Sequence, residues 1–147
     1  MIDSRTAPYA ALVLRVTLGA LFLAHAGLKL LVFTPAGTAK FFGSLGFPPE
    51  LAYLVISVEV LSGIALILGV WTRWAAIAGI PILLGAIFTV HGAAGFFFTN
   101  PKGGWEYPAF WAIALVAQAL LGDGAFALRP SRDVEAASGQ LSVAPSR

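Results

Sequence analysis

The chain has 147 residues, of which 59% are hydrophobic and only 11% charged, with a formal net charge of +2. A water-facing domain carries about a quarter charged residues to cover its outside, so this composition excludes an ordinary soluble domain and points to a surface solvated by lipid. The cations are scattered singly, which excludes a nucleic-acid-binding face, and the absence of cysteine removes disulfides, thiolate nucleophiles, cysteine-held iron–sulfur clusters and covalent c-type haem.

Four apolar runs organise the chain, at residues 10–33, 51–70, 74–91 and 108–128. Each is long enough to cross a hydrocarbon core of ~30 Å, which takes about 17–25 helical residues. The first is too long for a signal-peptide core and carries Arg15, so it reads as a retained span. Residues 34–50 follow, with Ala39, Phe41, Phe42, Leu45 and Phe47 around Lys40, a pattern that suits a short helix lying along the membrane interface. Pro48-Pro49 starts the second span. Only Trp71-Thr72-Arg73 separates it from the third, so the two form an antiparallel hairpin, and Pro81 predicts a kink in the third. The linker 92–107 is rich in aromatics, glycine and proline and reads as a surface loop with aromatic anchors. After Arg129-Pro130 the composition turns polar, and residues 130–147 read as a disordered cytoplasmic tail.

The expected fold is therefore all-α: an integral membrane four-helix bundle, residues 1–129, with a short interfacial helix between spans one and two. Gly19, Gly27, Gly63, Gly79 and Gly85 favour close helix packing. Arg5, Arg73, Arg129, Arg132 and Arg147 fall on one side, and only Lys40 and Lys102 on the other. The excess of positive charge puts both termini in the cytoplasm of a multi-pass protein.

Ionisable residues inside a span are costly and mark functional sites. At a rise of about 1.5 Å per residue they fall into two layers. His25, Lys29, Glu59 and His91 lie in the outer half; Arg15 and Asp123 lie near the inner side. Arg15, His25 and Lys29 share an arc of roughly 80° on the first helix, so that face points inward. Lys29 with Glu59, and Arg15 with Asp123, are matched in sign and depth. Arg15–Asp123 reads as a structural ion pair, whereas Glu59, with two histidines near, reads as a group tuned for proton handling. His25, Glu59 and His91 have the donor types of a zinc or iron site. No compact ligand motif is present, however, and Lys29 would repel a cation, so no metal is assigned. Gln118 reads as an interhelical hydrogen-bond partner.

Between Leu12 and Leu128 the chain resembles the DoxX family of small bacterial membrane proteins. The resemblance rests on Leu14-Arg15, Gly19, Phe22, His25-Ala26-Gly27 and Lys29, on Phe41-Phe42 and Leu45-Gly46-Phe47-Pro48, and on Glu59-Val60-Leu61-Ser62-Gly63. It continues with Thr72-Arg73-Trp74, His91 and the closing Leu120-Leu121-Gly122-Asp123-Gly124. It implies a four-helix bundle in the bacterial inner membrane, tied in some relatives to quinone-dependent oxidation of sulfur compounds and in others to oxidoreductase complexes that manage oxidative stress. The function this suggests is an accessory or anchor subunit of a membrane oxidoreductase system. A quinone would be held by His25, Glu59 and His91, with Lys29 in the same polar site, and the partners would be the bilayer, other redox subunits or further copies of the chain. A small non-redox transporter or a structural assembly protein on the same bundle is the competing reading.

Overall fold

The computed structural model describes residues 3–130, so the tail assigned to 130–147 lies, beyond Pro130, outside the described residues. Helix α1 spans Ala7–Gly27 and runs on through a π-helical turn at Leu28–Val32. Helix α2 covers Pro35–Ser44, α3 Leu51–Leu68, α4 Thr72–Ala86 and α5 Glu106–Leu121. Helix α4 also continues, through a π turn at Ile87–His91 and a 3₁₀ turn at Gly92–Ala94. Three of these stretches are long and apolar enough to cross a membrane: Ala7–Val32, Leu51–Leu68 and Thr72–Ala94. The protein is an all-helical membrane protein.

Local chemistry explains the boundaries. Pro35 opens α2 at the position where a missing N–H costs nothing, and the Thr34 side chain accepts a hydrogen bond from Gly37 N at 3.1 Å, capping an orphan donor. Helix α3 ends at Gly69, whose φ of +68° is left-handed. A side chain there would also strike the Ala127 backbone and the Arg15 guanidinium. Pro81 sits inside α4 and removes the donor for the Ile77 carbonyl. The chain nonetheless stays helical through it, and the departure from α geometry comes further on, at Ile87–His91.

The fourth apolar run differs from expectation. Its helix has 16 residues and stops at Leu121; residues 122–128 turn back across the inner end. Gly122 and Gly124 adopt positive φ. Ala125 N donates to Pro8 O at 2.9 Å, Leu128 N to Leu68 O at 3.0 Å and Arg129 N to Gly69 O at 3.2 Å. Apolarity alone carried the predicted span to Leu128; the Gly-Asp-Gly break ended the helix about two turns sooner.

Helix α1 packs chiefly on α3, and α4 on α5. The α1–α3 crossing is tight because Gly19 and Gly63 meet backbone to backbone, where a Cβ on either would collide. Gly27 and Gly85, also expected to serve packing, face open space. The core is Leu18, Phe22, Leu66, Ala76, Leu83, Trp111 and Leu115. Val13, Leu61, Phe88, Phe110, Ile113 and Leu120 point outward and are well exposed, as a lipid-facing surface requires.

Candidate functional site: a polar-edged cavity in the outer half

A cavity of about 750 Å³ opens between α1, α2, α3, α4 and α5, within the range of about 300–1,000 Å³ typical of small-molecule sites. Its walls are mostly apolar, with Phe41, Phe42 and Phe47 from the α2 region and Pro81 and Ile82 from α4. Its polar edge comprises His25, Lys29, Glu59 and His91, all four of which line it.

Lys29 Nζ donates to Glu59 Oε1 at 2.8 Å and to Oε2 at 3.0 Å. Glu59 is 3% exposed; the ammonium neutralises it, which is the condition for burying a carboxylate in an apolar wall. Two of the three ammonium N–H groups are thereby used and one remains. Lys29 sits in the π turn that ends α1, and His91 in the π turn that extends α4. π turns re-aim side chains and recur at functional sites, and here both flank one cavity. His91 Nδ1–H donates to Gly103 O at 2.9 Å. A carbonyl can only accept, so the partner assigns the proton to Nδ1 and leaves Nε2 for other contacts.

His25 makes no hydrogen bond among the described residues. Its ring is held by aromatics instead: Trp111 edge-on with centroids 5.0 Å apart, and Tyr107 stacked at 6.4 Å and 20°. Sequence reading missed both, although Tyr107 and Trp111 stand four apart, on one helix face, in the aromatic start of the fourth run. No group of three or more His, Asp or Glu is placed to hold a metal ion among the described residues.

The inner layer has a different character. Arg15 is 1% exposed. Its Nη1 donates to Leu66 O at 2.8 Å and Ile67 O at 2.6 Å, and its Nη2 to Ala125 O at 3.0 Å. Leu66 and Ile67 belong to the last turn of α3, whose carbonyls lack the regular helical donor four residues on and carry the negative end of the helix dipole; Leu66 O also accepts from the capping Gly69 N–H at 3.3 Å. Arg73 Nε does the same for α5, donating to Ala119 O at 3.1 Å. Gln118 Nε2 donates to Gly122 O at 2.7 Å, a bond within the α5 terminus rather than the interhelical one expected. Asp123 is buried beside the last turn of α5, and its charge acts on Arg15. Phe22, Leu66 and Leu115, each 0% exposed, fill the space between the two layers.

The comparisons with known proteins agree with this architecture. The DoxX family model matches residues 10–92, a stretch that contains His25, Lys29, Glu59 and His91 but not Tyr107 or Trp111. The Bacillus subtilis (strain 168) protein named "Putative oxidoreductase CatD" is 33% identical over 119 residues, covering 81% of this chain and 84% of the relative. No solved structure matches the chain. With more than half of its length under the family model, and a relative aligned across four-fifths of it, this chain belongs to the DoxX family.

Proposed function

We propose that the chain is an accessory or anchor subunit of a membrane oxidoreductase system in the bacterial inner membrane, and that it binds a quinone in the outer cavity. The observation that carries this reading is one apolar cavity of about 750 Å³ edged by His25, Lys29, Glu59 and His91. A quinone fits this lining: the spare Lys29 N–H and a His25 N–H suit its carbonyl oxygens, the acceptor His91 Nε2 suits a hydroxyl of the reduced carrier, and the phenylalanine wall suits its isoprenoid tail. A quinone, when bound, supplies a carrier of two electrons and two protons. The residues orient its head, exclude water from it and, at Glu59 and His25, hold protons within reach. The oxidoreductase name of the CatD relative supports the redox association.

In this reading the bundle has four crossings and both termini in the cytoplasm. Helix α5 rises only ~24 Å, but its contacts with α4 and α1 run from Tyr107 to Ala119, which supports a fourth, short crossing with local thinning of the bilayer. The placement of Arg5, Arg73 and Arg129 at one end supports the orientation. The fully buried Phe22, Leu66 and Leu115 between the two polar regions count against a transport pathway.

Purification from native membranes, followed by solvent extraction and mass spectrometry, tests the proposal. The expected result is a co-purifying quinone in the wild type, lost in Glu59→Gln while the folded protein survives. Protein that carries no quinone, gains no thermal stability from added quinone and leaves its complex active as Glu59→Gln would overturn it. An assembly role alone predicts that Glu59→Gln loses folding or assembly instead.

A further inference from the structure

Trp111 lines the cavity and is 3% exposed, yet its indole Nε1–H has no acceptor among the described residues. A buried N–H without a partner is rare, because it forfeits the hydrogen bond it made to water when unfolded. The ring cannot easily turn to find a partner. Phe22 packs on one side of it at 4.9 Å between centroids, His25 at 5.0 Å and Tyr107 at 5.7 Å. The donor is therefore fixed, buried and adjacent to the cavity.

Its position relative to the other donor is informative. Trp111 touches His25, and Lys29 lies one turn further along the same helix, about 6 Å for four residues. Lys29 has one N–H beyond the two given to Glu59. Two N–H donors, one on α5 and one in the π turn that ends α1, thus line one largely apolar cavity.

We propose that Trp111 is a second anchor of the cavity, its indole N–H donating to one oxygen of the bound quinone while the remaining Lys29 N–H is available to another. This deepens the quinone reading and rests on it. Trp111 is a binding residue in this scheme, and His25 is a positioning residue that keeps the indole in place.

The test is titration of purified protein with a short-tailed para-benzoquinone, following ¹⁵N-labelled tryptophan side chains by NMR. The chain has four tryptophans, and Trp111→Phe identifies the Trp111 signal by its loss while keeping an aromatic ring in the core. The expected result is a shift of the Trp111 indole N–H resonance on binding. In Trp111→Phe, binding should weaken about two- to tenfold, the range for one lost neutral hydrogen bond. Wild type that binds the para-quinone without moving the Trp111 resonance, and binds it equally well as Trp111→Phe, overturns this inference and leaves the quinone reading standing. Wild type that binds no quinone overturns both. If Trp111→Phe fails to fold, Phe variants of the exposed Trp71, Trp74 and Trp105 assign the other three signals and leave Trp111 by elimination, and its shift in the wild type then decides alone.

Discussion

At the inner end of the bundle, Arg15 gives three hydrogen bonds to backbone carbonyls of two different segments, and Arg73 gives another to α5. At the outer end, Lys29 gives two to a single carboxylate and keeps one N–H in reserve beside a cavity. Both ends place a cation where lipid and core surround it. The difference lies in what the cation touches. Backbone carbonyls at a helix terminus are present whatever the side chains are, so a cation that satisfies them fastens the fold. A carboxylate on a side chain needs burying only because the sequence put it there. A pair of that kind is seldom retained for stability, since apolar replacements of similar volume often do as well. The inner cations are thus tied to helix ends, whereas the outer pair joins two side chains beside a cavity.

The largest expected effect is at Arg15. Arg15→Met removes a donor from three carbonyls and leaves those of Ile67 and Ala125 without this partner, each worth about 1–3 kcal/mol if orphaned, against a total stability of about 5–15 kcal/mol for a typical protein. The expected outcome is loss of monodisperse protein on size exclusion in detergent. A variant that elutes and melts like the wild type would show that the inner cations are not fasteners. Lys29→Met comes next, because it leaves Glu59 buried without its cation, a change that costs about 3–5 kcal/mol for buried pairs. Adding Glu59→Leu should restore the melting temperature to that of the wild type while abolishing quinone binding. If the double variant melts as low as the single one, the outer pair is structural after all.

A smaller effect is expected at Gly79, where a Cβ would collide with the Phe22 ring. Gly79→Ala should cost about 1–3 kcal/mol by overpacking and displace Phe22 from Trp111, read as a lower melting temperature and altered tryptophan emission. Unchanged values for both would show that the layer between the two polar regions is looser than its packing indicates. The smallest effect belongs to Gly103, which holds a φ of +70° and accepts from His91. Gly103→Ala should lose about 1 kcal/mol through backbone strain, with quinone affinity falling as the strained turn shifts the carbonyl that holds His91. Affinity that stays constant would take His91 out of the site.

Much of this was legible in advance because depth follows from position along a helix. Counting residues from the ends of the apolar runs put Lys29 and Glu59 at matching depth, and the two form an ion pair at 2.8 Å. The same count brought His25 and His91 to the outer half, where both line the cavity. It overran the end of the fourth helix, which stops at Leu121, since hydropathy does not register the turn that Gly122 and Gly124 make. Arg15 was matched with Asp123 in sign and depth, and the Asp123 charge does act on it; backbone carbonyls carry no signature in the sequence, so the three bonds of Arg15 to Leu66, Ile67 and Ala125 were invisible. Trp111 and Tyr107 were passed over because aromatics at the start of a span also serve as interfacial anchors.

The sequence by itself determined the solvent and the secondary structure. With 11% charged residues the chain has no means of covering a water-facing surface, and apolar runs of this length satisfy their backbone in lipid only as helices. Only the tertiary structure decided which charges fasten helix ends and which line a cavity. That division depends on where the fifth helix stops, on the two π turns that aim Lys29 and His91, and on which donors packing leaves without an acceptor. Those are relations between segments distant along the chain, and no local pattern encodes them.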